Sequence, residues 1–181
     1  MPVMLLRERF FRVYETIVYK ECFYEVHKKR AGSLYTGYTV LMLAVSIISV
    51  LVWSISKSMP ALWAIVIAIA QFAQAISTSM PFSKQLVSLK FLLPELSRLL
   101  IELDNSWLLI DIKKYDDNKI LSLINDYENR FNELELKYVS SIDVDFSESK
   151  SVMDATEKMQ RSYFYSRYPD TQSKGGERNE T

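Results

Sequence analysis

The chain has 181 residues, 49% hydrophobic and 24% charged, and its 22 Lys and Arg balance its 22 Asp and Glu. The balance conceals a division: residues 1–100 carry 11 basic and 5 acidic side chains, residues 101–181 carry 11 basic and 17 acidic, and no acid lies between Val26 and Pro94. Four glycines, a single cysteine (Cys22) and a single histidine (His27) exclude phosphate-cradling glycine loops, a disulfide framework, His-based catalytic triads and the usual His/Cys zinc sites. No enzyme, cofactor or metal is expected.

Residues 1–33 read as an amphipathic cytosolic helix, with Leu6, Phe10, Val13 and Ile17 on one face and charges between them. Gly32 is placed as a stop signal. Lys28, Lys29 and Arg30 stand just before the apolar region, where basic residues anchor a span on its cytoplasmic side and meet anionic headgroups. Cys22 is expected to be an inert packing or interface residue.

Two blocks follow, Gly37–Ser56 and Ala61–Met80, each 20 residues long without a charge. At about 1.5 Å per residue each reaches the ~30 Å of a hydrocarbon core. Both are expected to be membrane-spanning helices, because in lipid the backbone must bond to itself. The short linker Lys57–Pro60 makes them an antiparallel hairpin over residues 34–82. Lys20, Lys28, Lys29, Arg30, Lys84, Lys90 and Arg98 flank the hairpin on one side, against Lys57 alone on the other. This bias predicts a multi-pass protein of the inner (plasma) membrane with both termini in the cytoplasm. Tyr35, Tyr38 and Phe82 fall at the inner boundary, Trp53 and Trp63 at the outer one.

The second block has a small or polar edge: Ala61, Ala64, Ala68, Gln71, Ala75 and Thr78 recur in steps of three and four. Thr39, Ser46, Ser49 and Ser56 offer a matching edge on the first. Small residues let membrane helices approach closely, and amides and hydroxyls bond across the contact. Two readings stay open: packing within the hairpin, or an oligomer or pore edge with Gln71 and Gln74 facing a wet centre.

Residues 83–142 read as cytosolic, heptad-patterned helices. Leu86, Leu89, Leu93, Leu96, Leu100, Leu103, Trp107 and Ile110 form a 3.5-residue seam, and Pro94 is expected to kink or divide that helix. Asp116-Asp117-Asn118 looks like a turn and N-cap. Ile120, Ile124, Tyr127, Phe131, Leu134 and Tyr138 form a second seam. Asp104, Asp111, Asp116 and Asp117 are placed on solvated faces and at the cap, not in a carboxylate site. Residues 143–181 comprise an irregular joint, a short helix over 151–167, and a tail from Pro169 polar enough to be disordered. The run Tyr163–Tyr168, with Arg161 and Arg167, is the one place where a nucleotide could stack; packing against the bundle is the alternative.

The fold class is an all-α membrane protein: a two-span transmembrane hairpin with an N-terminal amphipathic helix and a C-terminal cytosolic, coiled-coil-like bundle. A basic, aromatic helix precedes the hairpin, and Pro81-Phe82-Ser83-Lys84 leads from it into a Leu-seamed helix ending near Trp107. Over about residues 10–115 this layout resembles the SLATT family, two-span effector domains of bacterial nucleotide-signalling and other anti-phage defence systems. The resemblance implies a membrane-embedded effector that oligomerises, permeabilises or depolarises the inner membrane and arrests growth, with a cytosolic sensor or nucleotide signal as partner. The chain has no recognisable ligand-sensing domain attached, and no direct DNA binding is expected. The alternative is a membrane-anchored coiled-coil scaffold or accessory subunit that recruits a cytosolic partner.

Overall fold

A computed structural model describes residues 3–55, 64–65, 67–69, 71–72, 81–112, 114–140, 146 and 148–168. Helix α1 runs from Val3 to Ile55, α2 from Pro81 to Asp111, α3 from Asp117 to Glu135 and α4 from Lys150 to Arg167. A π-helical turn, Leu136–Ser140, ends α3. Among the described residues there is no strand.

The N-terminal part of α1 packs with α2, α3 and α4 around one apolar core. Phe10, Tyr14, Ile17 and Val18 of α1 meet Leu89, Leu92, Leu96, Leu99 and Leu103 of α2, Ile120 and Ile124 of α3, and Val152 of α4. Burying each Leu or Ile side chain contributes roughly 1.5–3 kcal/mol. Leu93 and Leu100 are buried too and Trp107 is half-buried, its ring against Phe10 and Phe11. With Leu92 and Leu99 also inside, the buried face of α2 is wider than a two-position seam. That is the face of a helix with neighbours on two sides.

Helices α1 and α2 lie antiparallel in constant register. Arg7 pairs with Asp111 (3.0 Å), Tyr14 bonds Asp104 (3.0 Å), Glu21 accepts from Ser97, and a Cβ placed on Gly32 would lie 3.9 Å from Leu86 Cδ2. Every step along α1 is matched by an equal step back along α2. The uneven charge of the two halves becomes ion pairs between helices, Lys20 with Glu135 at 3.2 Å and Arg9 with Glu128 at 3.6 Å, and within the second half Arg130 of α3 pairs with Glu102 of α2 at 2.7 Å.

Two local expectations are corrected. Gly32 does not stop α1, which continues through Gly32 and Gly37 without a break. A glycine ends a helix only where the residues after it leave the helical conformation; here the apolar residues that follow stay helical through Ile55 and keep the ladder bonded. Pro94 does not divide α2. It stands on an exposed face, where water can bond the carbonyl one turn earlier that loses its donor. Asp116 does cap α3, accepting from Lys119 N at 3.3 Å.

Candidate functional site

The bundle ends abruptly on α1. Burial recurs from Leu6 to Ala31, and from Ser33 to Ser49 no residue is buried. Val40, Leu41, Ile47 and Ile48 are each about 60% exposed. The stretch Leu5–Ser49 is long and apolar enough to cross a membrane, with a mean hydropathy of 1.5 over its most apolar window and 6% of that window buried. A helix in a soluble core would be mostly buried. This one exposes apolar side chains over most of its surface, with only a stripe through Tyr38, Met42, Val45 and Ser49 half-buried, a surface stable where lipid replaces water.

The described part of the second block is helical and equally bare: Ile65, Ile67, Ile69 and Phe72 are exposed, as are Ala64, Ala68 and Gln71. Gln74 and Thr78 of the proposed edge lie outside the described residues, as do Ser56, Ala61, Ala75 and the linker at 57–60. On the first block the hydroxyls turn inward on their own helix. Thr39 donates to Tyr35 O (2.9 Å), Ser46 to Met42 O (2.9 Å) and Ser49 to Val45 O (2.7 Å). Such back-bonds satisfy a hydroxyl in lipid without a second helix.

The basic trio occupies the last turn before the boundary. Lys29 pairs with Glu25 at 3.2 Å, and Arg30 Nη1 reaches Ser149 Oγ (3.4 Å) at the start of α4. Arg30 therefore also helps seat α4. His27 is buried, its ring edge-on to Phe23 and Phe146. Burial pushes the Cys22 thiol up to about 12, so its nucleophilic thiolate is suppressed at neutral pH.

At the far end of the bundle, α4 is held by a polar node not legible in the sequence. Asp104 is half-buried rather than on a solvated face. Its Oδ1 accepts from Tyr14 (3.0 Å) and Tyr168 (2.8 Å), and its Oδ2 from Arg167 (2.7 Å). Arg167 also lies over the Tyr163 ring, 4.5 Å from its centroid. Phe164 packs edge-on against Tyr14 and tilted against Phe11. The run Tyr163–Tyr168 thus spends most of its aromatic surface on the bundle. Tyr165 remains half exposed, and Arg161 pairs with Glu157. Tyr14 lies about 150 residues from Tyr163 and Tyr168, and nothing in that spacing signals that Tyr14 and Tyr168 converge on one carboxylate. Among the described residues, no three His, Cys, Asp or Glu side chains converge as metal ligands.

No protein-family model, no curated protein and no solved structure matches the chain.

Proposed function

We propose that the chain is a two-span membrane hairpin that assembles in the inner membrane and opens it to ions, its termini and helical bundle on the cytoplasmic side. The observation that carries the hairpin is the α1–α2 register. Arg7 faces Asp111, Tyr14 faces Asp104, and Gly32 lies beside Leu86. Continued unchanged through both apolar blocks, that register turns at Met59, the middle of the linker between them. The two blocks then run side by side with no surplus chain. The exposed apolar residues suit lipid on the outside, and the Lys and Arg bias favours cytoplasmic termini.

Permeation is assigned to the edge through Ala64, Ala68, Gln71, Gln74 and Thr78. Amides within a span are costly in hydrocarbon and are retained where they meet water or another subunit. The resemblance of its sequence layout to the SLATT family suggests a role for that opening, arrest of an infected cell on a cytosolic or nucleotide signal. The test is induced expression with a membrane-potential dye. Wild type should collapse the potential, and Gln71→Leu with Gln74→Leu should insert at normal levels and leave the potential intact. A double variant as damaging as wild type would remove the pore assignment.

The back-bonded hydroxyls of Ser46 and Ser49 favour a second reading, a membrane-anchored scaffold. A first span that needs no polar partner suffices as an anchor. In that case neither wild type nor the glutamine variant depolarises the cell, and the bundle captures a cytosolic partner instead.

A further inference from the structure

We propose that the outer face of α2 is the surface on which copies of this chain associate, as a parallel, in-register assembly of α2 helices. The inference rests on the membrane reading for its parallel orientation. Its surface is one that the Leu seam does not reach. Leu89, Leu93, Leu96, Leu100 and Leu103 of that seam are buried within a single chain and cannot also join two chains. On the opposite side of α2 stand Val87, Phe91, Pro94, Arg98, Ile101, Asn105, Leu108 and Ile112, in alternating steps of four and three. All eight are exposed. Val87, Phe91, Ile101, Leu108 and Ile112 are each more than half exposed, a row of large apolar side chains on a helix whose other face is already fully packed.

The row covers 26 residues, between three and four heptads and about 38 Å of helix at 1.5 Å per residue. In heptad terms Phe91, Arg98, Asn105 and Ile112 take the a positions, and Val87, Pro94, Ile101 and Leu108 take d. A strict seven-residue stripe is what a left-handed, supercoiled pairing with a second helix requires. Near its membrane-proximal end, Val87 and Phe91 line an open groove of about 410 Å³ with Lys84, Lys137 and Tyr138. That groove leaves room for side chains of a neighbouring helix.

Charge and polarity favour a second copy over an unrelated helix. In a parallel pair, a g residue faces the e residue five positions on in its partner. Here that couples Lys90 with Glu95, twice in each pair by symmetry. Asn105 at an a position meets its own counterpart and can bond it, which pins the register at some cost in stability. Arg98, also at a, has Glu102 of its own chain at 3.9 Å, so its long stem can cover the seam while its charge stays answered at the rim. The parallel orientation follows from the membrane. Every copy's α2 begins directly after the second apolar block, so all α2 helices leave the bilayer in one direction.

The test is cysteine pairing in native membranes in a Cys22→Ala background. Ile101→Cys and Leu108→Cys should each form a same-residue disulfide under mild oxidation, at a yield several-fold above Ser122→Cys, which is exposed on α3. Lys90→Glu should lower that yield, and adding Glu95→Lys should restore it. Equal yields at the stripe and at Ser122, or none at the stripe, would overturn the proposal. So would a stripe cysteine that is shielded from a water-soluble maleimide yet never crosslinks, since another occupant would then hold the face. The membrane reading is judged separately by retention after alkaline extraction. If extracted, soluble protein still crosslinks at Ile101, the homotypic surface stands and the span assignment falls. If firmly embedded protein does not crosslink, only the surface falls.

Discussion

Tyr14 of α1 donates a hydrogen bond to Asp104 of α2 across 3.0 Å, and the same Asp104 oxygen accepts from Tyr168, just beyond the end of α4, at 2.8 Å. One carboxylate thus ties the N-terminal helix, the α2 helix and the chain's last described helix together. Asp104→Ala releases both Tyr168 and Arg167 and leaves the buried Tyr14 hydroxyl with only the longer contact to the Tyr163 hydroxyl, at 3.4 Å. Losing hydrogen bonds to a charged acceptor costs about 1.5–3 kcal/mol each. Amide exchange across Lys150–Arg167 should accelerate far more than exchange in α2. Unchanged protection of α4 would show that its aromatic contacts alone hold it.

The two faces of α2 should respond oppositely to truncation. Leu96 is fully buried, and Leu96→Ala is expected to destabilise the bundle by about 2–5 kcal/mol. Ile101 is 57% exposed, and Ile101→Ala should cost within about 0.5 kcal/mol when subunits are dissociated in detergent. Denaturant unfolding followed by circular dichroism measures both. Comparable losses would mean that the outer row is packed within the chain.

Alkali should unfold the bundle. Burial pushes the Cys22 thiol and the Tyr168 hydroxyl each up to about 12. Burial raises Tyr14 and Tyr24 above the ordinary tyrosine value as well, helped by hydrogen bonds to Tyr163 and Glu135 respectively. These groups keep their protons in the folded chain at a pH where the unfolded chain releases them. Their contribution is complete below the ordinary thiol and phenol values; that of Cys22 and Tyr168 is lost as pH rises through about 12, and that of Tyr14 and Tyr24 only at higher pH. The unfolding midpoint should fall steadily from pH 9 to pH 11, and Cys22→Ala with Tyr168→Phe should flatten that decline. A midpoint independent of pH over this range would contradict it.

Sidedness is open to direct labelling. In a Cys22→Ala background, a cysteine at Ser58 should react with an impermeant maleimide added to intact cells. One at Ser151 should react only after the membrane is opened. Equal labelling of the two would overturn the hairpin with cytoplasmic termini.

Much of the architecture is written in local pattern. The two charge-free blocks, the 3.5-residue recurrence of Leu89, Leu93, Leu96, Leu100 and Leu103, and the Asp116 cap each depend on neighbours within a few turns. Periodicity and capping chemistry therefore suffice to place them. The pattern could not say which chain segments those leucines meet, because a seam reads alike whether it packs inside one chain or between two. Gly32 and Pro94 misled for a related reason. Their helix-breaking tendency, of order 1 kcal/mol for Gly and 3 kcal/mol for Pro, yields where a continuous apolar helix or an exposed, water-accessible turn offsets it. Asp104 was the least legible residue, since its three partners lie at positions 14, 167 and 168. Only the docking of α1 and α4 on α2 brings those donors to one carboxylate, and only that docking leaves the row from Val87 to Ile112 uncovered.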